Sequence, residues 1–249
     1  MIWLKSKEEI ELMRQAGALT ARTLELLKGE IRPGITTNQL NSIAEEFIKS
    51  QGAVPSFKNY RGYPKSICAS INSVVVHGIP DGTVLREGDI ISIDIGVQYK
   101  GFHGDAARTF GVGDISDEAK RLIETTEKCF FDAVGLVRDG VRLGDISSEI
   151  QAIAEGQGYG VVRELVGHGI GAALHEEPDV PNYGKKGKGI RLSSGMTIAI
   201  EPMINAGTHE VVMDDDGWTV RTLDDSLSAH YENTIAVTEE GYEILTLLP

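Results

Sequence analysis

Cysteine is scarce: Cys68 and Cys129 are the only two in 249 residues, and they form no CxxC pair. A disulfide framework is therefore excluded, and a reducing, cytoplasmic setting is expected. No apolar run approaches the ~18 residues that a membrane helix needs. The opening "MIWLKSKEEIELM" places acids before any apolar core can form, so it does not read as a secretory signal. Positive charge is also short, with 24 Lys and Arg against 37 Asp and Glu and a net charge of −13. That balance argues against a general phosphate-binding face, hence against nucleic acid, and favours a cationic ligand such as the free amino terminus of a peptide. There is no low-complexity segment and no obvious linker. Four fragments fail as motifs. "GHGIG" is not GxGxxG, and "GKKGKG" (184–189) lacks the Lys-[Ser/Thr] ending of a phosphate loop. "HEEP" is not HExxH because position 179 is Asp, and "MDDDG" (213–217) has too few spaced acids for a calcium loop.

What remains is a soluble globular composition, 41% hydrophobic and 24% charged. Ser6 and Glu9 form a possible capping box for a helix over 6–28, with a stripe of Ile10, Met13, Thr20, Leu24 and Leu27. A second helix is expected over 37–50, and further helices from Ser116 to about Arg138 and from Asp145 to about Glu155. Strand-like runs fall at 66–76, 90–99, 102–111, 159–166, 196–201, 209–213, 218–223 and 232–246. Helix, helix, strands thus occurs twice. "IRPGITTNQLNSIAE" (31–45) aligns without a gap on "VRLGDISSEIQAIAE" (141–155), and "LREGDIISID" (85–94) on "LSSGMTIAIE" (192–201). A period of ~110 residues is too long for a solenoid. We expect one domain of two duplicated α+β halves, about 5–112 and 113–247, packed around a pseudo-twofold axis.

The stretch "ISIDIGVQYKGFHGDAARTF" (91–110) puts two acids inside what reads as a β-hairpin turning at Lys100-Gly101. If Tyr99 pairs with Phe102, Asp94 lies opposite Ala107 and Asp105 opposite Gly96. The two carboxylates then share a face as diagonal neighbours, roughly 7–8 Å apart at the backbone. Two ionised carboxylates so held repel, and a bound cation removes the conflict. The repeat supplies two more. Glu201 in "TIAIEPMI" is the counterpart of Asp94, and Glu232 in "HYE" that of Asp105 in "HGD". An unpartnered acid in so apolar a strand would be costly. His77 and His168 are counterparts as well, in "HGIP" and "HGIG". Four carboxylates and an imidazole at one seam suit Mn²⁺, Fe²⁺, Co²⁺ or Zn²⁺. They can bridge two ions ~3.5–4 Å apart, an arrangement that acidifies a trapped water into a nucleophile.

"PKSICASINSVVVHGIP", "IDIGVQYKGFHGDAARTF", "GHGIGAALHEEP", "IAIEPMIN" and "SLSAHYENTIAVT" together resemble a type I methionine aminopeptidase over roughly residues 5–247. The resemblance implies the pita-bread fold, an α+β architecture of two related halves with a curved antiparallel sheet covered by helices. It also implies a dinuclear centre on Asp94, Asp105, His168, Glu201 and Glu232, with Asp105 and Glu232 bridging and Glu201 doubling as proton shuttle. His77 and His175 would hold the substrate amide and stabilise the oxyanion. The methionine pocket would map onto Phe57, Tyr60, Tyr63, Cys68, Leu174 and Trp218. Leu174 stands where the family often has an aromatic and Phe57 where it often has a smaller residue, which suggests an exchange of volume across the pocket. His103 and His230, each two positions before an acid, are expected to support the ligands or the fold. The substrate implied is the amino terminus of a peptide or nascent protein whose second residue is small, with transient ribosome contact and a monomeric enzyme. Two other readings compete. A proline-specific peptidase of the same fold usually carries an added N-terminal domain, for which 249 residues leave no room, and a metal-free binding protein would be expected to have lost ligand residues.

Overall fold

A computed structural model describes residues 1–248. Helix α1 (Lys7–Glu30) begins at the Ser6–Glu9 box: the Glu9 amide donates to Ser6 Oγ at 3.2 Å and the Ser6 amide donates to Glu9 Oε2 at 2.8 Å. Met13, Thr20, Leu24 and Leu27 of its stripe are buried, and Ile10 is half-buried. Helix α2 (Thr37–Ser50) starts with the same reciprocal cap, built from Thr36 and Gln39. Helix α3 (Asp117–Val134) is capped by Ser116 but stops four residues short of Arg138. Gly135 ends it, and the Val137 amide turns back to the Val134 carbonyl at 2.9 Å. Helix α4 (Leu143–Gly156) begins two residues before Asp145. Asp145 is not the cap itself but the third helical residue, and its carboxylate accepts from the Arg142 amide at 3.2 Å.

The strands 90–99 and 102–111 form the expected hairpin. Lys100 and Gly101 both have positive φ, 50° and 88°, as a tight turn of this kind requires. Tyr99 pairs with Phe102, Asp94 with Ala107 and Gly96 with Asp105, so the anticipated register is the observed one. Other runs are shorter or broken. The run 66–76 becomes Cys68–Ile71 and Val74–Val76, split by Asn72, whose φ of 52° reverses the chain and whose side chain bonds Asp89 and the Ile90 amide. The run 232–246 becomes Asn233–Val237 and Tyr242–Ile244, separated by a turn that the Thr238 amide closes on the Gly241 carbonyl. The remaining runs survive as Gly160–Val161, Thr197–Ile200, Val211–Met213 and Val220–Thr222. Unanticipated short strands lie at Val54–Pro55, Gly167–Gly169, Glu176–Val180, Met203–Asn205 and Ser228–His230.

Among the described residues antiparallel pairing joins these strands into four small sheets; α1 lies over the 90–111 hairpin, and α3 lies against Met203–Asn205 and Ser228–His230. One apolar core gathers Leu19, Leu27, Leu40, Ile48, Ile91, Ile93 and Ile95 beneath α1 and α2. Another gathers Leu122, Phe130, Ile146, Ile150, Ile198, Ile200 and Ile235 beneath α3 and α4. Helix α1 crosses the hairpin at a glycine contact: a Cβ on Gly104 would sit 2.7 Å from the Gly17 Cα, and one on Gly17 would sit 2.1 Å from the Leu245 carbonyl oxygen. A larger residue at either place would push the helix off the sheet.

The hairpin is stitched directly to the later strands. Ala107 and Glu232 exchange backbone hydrogen bonds at 2.9 and 3.3 Å. Thr234 Oγ1 accepts from the Asp105 amide at 2.9 Å and donates to its carbonyl at 3.0 Å. The Arg108 guanidinium stacks 4.0 Å over the Tyr231 ring and bonds the Glu232 carbonyl and Asn233 Oδ1. Asp105 and Glu232, 127 positions apart in the sequence, are thereby fixed as neighbours.

Candidate functional site

Where the stitched strands meet, an open-mouthed cavity is lined by Asp94, Asp105, Glu201, Glu232, His77, His168, His175, Phe57, Tyr60, Tyr63, Cys68, Leu174 and Trp218. Every residue singled out above from the sequence as a candidate ligand, catalytic group or pocket wall faces this one space. The acids arrive by two routes. Asp94 and Asp105 project from the hairpin on one face, as the register dictates. Glu201 directly follows the strand Thr197–Ile200, and Glu232 directly precedes the strand Asn233–Val237. Ile200 pairs with Asn233, so the two glutamates leave adjacent strand ends side by side.

Two groups of donor atoms lie within 4.8 Å of one another: Asp94, His230 and Glu232 form one, and Asp105, His168 and Glu232 the other. Glu232 belongs to both. Glu201 adjoins both, with one oxygen 3.7 Å from His168 Nε2 and the other 3.8 Å from His230 Nε2. His230 was assigned only a supporting place by sequence. It is almost fully buried, and its Nε2 lies 3.8 Å from Glu201 and from Glu232. Its sequence counterpart His103 turns elsewhere and shares a 2.8 Å hydrogen bond with Ser56 Oγ.

The electrostatics of the cluster are severe. Burial, then the Asp105 and Glu201 charges, push the Asp94 carboxyl well above its ordinary range, and burial drives Asp105 up to about 7. Glu201 and Glu232 are likewise raised, by burial first and by Asp105 next. Four carboxylates cannot all stay ionised here without compensation. Burial lowers His168 to about 4, so its ring is neutral. Its Nδ1 lies 2.8 Å from the Gly169 carbonyl, which can only accept, so Nδ1 carries the proton. The bare lone pair of Nε2 therefore points at Asp105 Oδ2, 3.8 Å away. Asp94 Oδ1, Asp105 Oδ1, Glu232 Oε1 and both His230 ring nitrogens are buried without a hydrogen-bond partner. Carboxylate oxygens and imidazole nitrogens gathered in one buried space without hydrogen-bond partners form a ligand set for divalent cations rather than a hydrogen-bonded network.

The rest of the cavity is apolar or aromatic. Phe57, Tyr63, Cys68 and Leu174 are buried in one cluster with Met13 and Ile170, and Tyr60 and Trp218 pack against it. Tyr63 meets Trp218 edge-on at 5.1 Å, and its hydroxyl reaches the Ile67 and Gly78 carbonyls at 3.0 Å. Burial pushes the Cys68 thiol well up, leaving it neutral. Phe57 fits because it packs on Gly96, where a Cβ would lie 2.7 Å from its ring. His77 stands at φ 61°, edge-on to Trp218, with burial lowering its pKa. His175 stacks on Tyr60, bonds its hydroxyl through Nδ1 at 2.9 Å, and lies with its ring centre 4.1 Å from that of His168. Desolvation, then the neighbouring His168 and Arg61, lower it to about 3. Arg61 also lines the cavity and was passed over in the sequence, although it sits between two chosen tyrosines in "YRGY".

The family model for metallopeptidase family M24 matches residues 11–239. A curated methionine aminopeptidase from Clostridium perfringens is 56% identical over 248 residues, covering 100% of both chains. The crystal structure of methionine aminopeptidase from Rickettsia prowazekii superposes with a TM-score of 0.98 at 46% identity, covering 99% of this chain and 100% of that one. An Xaa-Pro dipeptidase from Bacillus anthracis superposes at 0.81 with 25% identity, covering 99% of this chain and 62% of that one. The mixed architecture of antiparallel sheets and four helices is the pita-bread fold of these neighbours.

Proposed function

The chain belongs to metallopeptidase family M24, and within it to the methionine aminopeptidases; from that membership we propose that it removes the amino-terminal methionine from cytoplasmic peptides and nascent proteins whose second residue is small. The observation that carries the reading is the pair of donor groups sharing Glu232, beside an apolar cavity wall of thioether-compatible residues. The donor set fits two divalent cations: one oxygen each of Asp94, Asp105 and Glu232 is buried and orphaned, and His168 offers the lone pair of Nε2. Asp94, Asp105, His168, Glu201 and Glu232 would hold them, with Asp105 and Glu232 shared. Cobalt, manganese, iron or zinc would satisfy this mixed oxygen and nitrogen set. Such ions, when bound, polarise the scissile carbonyl and acidify a water.

The remaining work falls to side chains. Phe57, Tyr63, Cys68, Leu174 and Trp218 receive the methionine side chain, whose burial contributes about 1.5–3 kcal/mol and whose sulfur packs favourably on aromatic rings. That anchoring aligns the free amine with the anionic end of the cavity. Glu201, beside both donor groups, would take the proton of the attacking water and return it to the departing amine. With the Tyr60 hydroxyl donating to Nδ1 across their 2.9 Å contact, neutral His175 would keep its proton on Nε2 and donate it to the substrate carbonyl as charge develops. His77 serves the amide from the opposite wall. Crowding by these two rings beside the scissile bond limits the second residue to small side chains.

The test is direct. The protein is incubated with Met-Ala-Ser and with Ala-Pro-Ser, each with Mn²⁺ or Co²⁺ and each with chelator. Methionine release that vanishes with chelator is expected. Cleavage of the prolyl peptide alone would transfer the enzyme to the proline-specific branch, and no cleavage under any condition would overturn the enzymatic reading. Glu201→Gln is expected to retain the fold by circular dichroism and lose turnover by at least 10²-fold, the contribution typical of a positioned acid–base group.

A further inference from the structure

Arg61 is held at the cavity mouth in a conformation that an arginine does not choose. Its φ and ψ are 48° and 25°, in the left-handed region, and Asn59 two residues earlier has φ 68°. Asparagine tolerates that region, but a long side chain without a local hydrogen bond is strained there by roughly 1–2 kcal/mol. The turn enforces it. The Asn59 amide bonds the Tyr63 carbonyl at 2.8 Å, the Tyr63 amide bonds the Tyr60 carbonyl at 2.9 Å, and the Tyr60 amide bonds the Phe57 carbonyl at 2.9 Å. Strain retained beside a reactive cavity points to use.

The guanidinium lies 5.4 Å over the Tyr60 ring, and Tyr60 in turn bonds His175. The residue is exposed and lines the cavity. Among the described residues no carboxylate pairs with it, in contrast to Lys5, Arg14, Lys58 and Arg221, which all have acidic partners. A fixed, unpaired cation at the mouth of a cavity, in a chain of net charge −13, is a local reversal of the protein's field.

We propose that Arg61 is a specificity-determining residue that binds a carboxylate on the substrate beyond the scissile bond, favouring peptides acidic at the third residue or ending there in a free carboxyl group. The proposal rests on the methionine aminopeptidase reading. With methionine against Phe57, Tyr63 and Leu174 and the first peptide bond beside His175, the chain runs outward past Tyr60. An extended peptide advances about 3.3–3.6 Å per residue, so the third residue emerges at the mouth where the guanidinium stands. The second residue is not the target, because an acidic side chain there is not small. A planar guanidinium offers a carboxylate two parallel hydrogen bonds. The overall charge of the protein works against acidic peptides, so any preference for them has to come from a local group.

The test uses the metal-loaded enzyme and four peptides: Met-Ala-Glu-amide, Met-Ala-Gln-amide, Met-Ala-Lys-amide and Met-Ala-Gln with a free carboxyl. The readout is the ratio of kcat/KM values within each protein, not the absolute rate. The wild type is expected to prefer Glu over Gln about threefold to tenfold at low salt, as a solvent-exposed charged contact allows, with Lys the poorest. Half-molar salt compresses the ratios. The free-carboxyl peptide against its amide separates a terminal carboxylate from a side-chain one. Arg61→Gly removes the cation while suiting the left-handed backbone, so the Glu/Gln ratio falls to one or below without a distorted turn. Arg61→Lys restores part of it. The proposal is overturned if the wild type prefers neither the Glu peptide over Gln nor the free carboxyl over its amide, and equally if the preference it shows is unchanged in Arg61→Gly. In both cases continued cleavage of Met-Ala-Gln-amide leaves the enzymatic reading standing, whereas failure to cleave any of the four removes that reading and this one with it.

Discussion

Replacing Glu232 by glutamine is expected to stabilise the metal-free protein and to prevent metal from stabilising it further. Glu232 offers a carboxylate oxygen within 4.8 Å of ligand atoms of both Asp94 and Asp105. Two unit charges at that separation repel by about 3.5 kcal/mol at an effective dielectric of ~20, so ionising Glu232 beside both ionised aspartates would cost roughly 7 kcal/mol. The chain escapes by binding protons: burial raises Asp105 to about 7, and burial first, then the neighbouring carboxylate charges, raises the other three acids. Keeping a proton on a glutamate at pH 7.5, rather than at its ordinary value near 4.5, costs about 1.4 kcal/mol per pH unit. The substitution can therefore return at most about 4 kcal/mol. The folded-state pKa values lie above the unfolded ones, so the folded chain binds more protons, and its stability falls as pH rises from about 4 through 7. The advantage of Glu232→Gln should open over that window and close below it. The measurement is thermal unfolding in chelator at several pH values. At 2–4 °C per kcal/mol for a chain of this size, an increase of about 5–15 °C is expected at pH 7.5 and little difference at pH 4.5. With Mn²⁺ at a hundred times its dissociation constant the wild type gains about 2.7 kcal/mol, the variant gains far less, and activity is lost. If the metal-free wild type is as stable as the variant at pH 7.5, the carboxylates are not in the repulsive contact described here.

The parts of this site that were legible in the sequence are those set by local periodicity or by duplication. The alternation of Ile91, Ile93 and Ile95 and the Lys100-Gly101 turn fix a register, and a register fixes which face carries Asp94 and Asp105. The echo of "ISID" in "IAIE" then places Glu201 without any knowledge of its surroundings. What could not be read depends on partners distant in the chain. Gly167–Gly169, Glu176–Val180 and Ser228–His230 carry glycine, acids or serine and have little strand preference of their own. They are strands because neighbours such as Thr197–Ile200 and Met203–Asn205 offer them edges. An acid signals a helix start equally well at the cap or three positions inside it, so Asp145 in the sequence does not fix the first residue of α4; here it is the inner acid, accepting from the Arg142 amide. His103 and His230 occupy equivalent places in the two copies of the motif, yet only His230 faces the acids. The first copy has Ser56 to take its ring and the second has no such partner. Duplication thus preserved where each histidine stands and not where it turns, since the turn is decided by packing against segments that are not themselves repeated.

Two further consequences concern the supports of the cavity. Lys5, with a side chain 2% exposed, pairs with Glu176 at 2.5 Å, and Glu176 also accepts from the Ala173 amide, so the pair ties the amino-terminal segment to the loop bearing Leu174 and His175. Lys5→Met is expected to cost about 3 kcal/mol, since a mostly buried carboxylate is left without its cation. Lys5→Met with Glu176→Gln should recover part of that loss by urea unfolding, and a double variant no better than the single one would show that the charge is not the cause. Glu45 ties down the other wall: it accepts from Lys49, Lys58 and Ser66 and so anchors α2 to the segment 58–66 that carries Tyr60 and Tyr63. The two lysines and Ser66 lower its carboxyl to about 2. The folded-state value lies below the unfolded one near 4.5, so the unfolded chain binds the extra proton. The contribution is complete above about pH 4.5 and is lost as pH falls toward 2. Because both lysines are largely exposed, its size is on the order of 1 kcal/mol. Glu45→Gln should therefore lower the urea midpoint at pH 7, with the gap to wild type narrowing steadily between pH 4.5 and pH 3. A gap of constant size across that range would mean that the carboxylate holds the wall by shape alone, and that its charge contributes nothing.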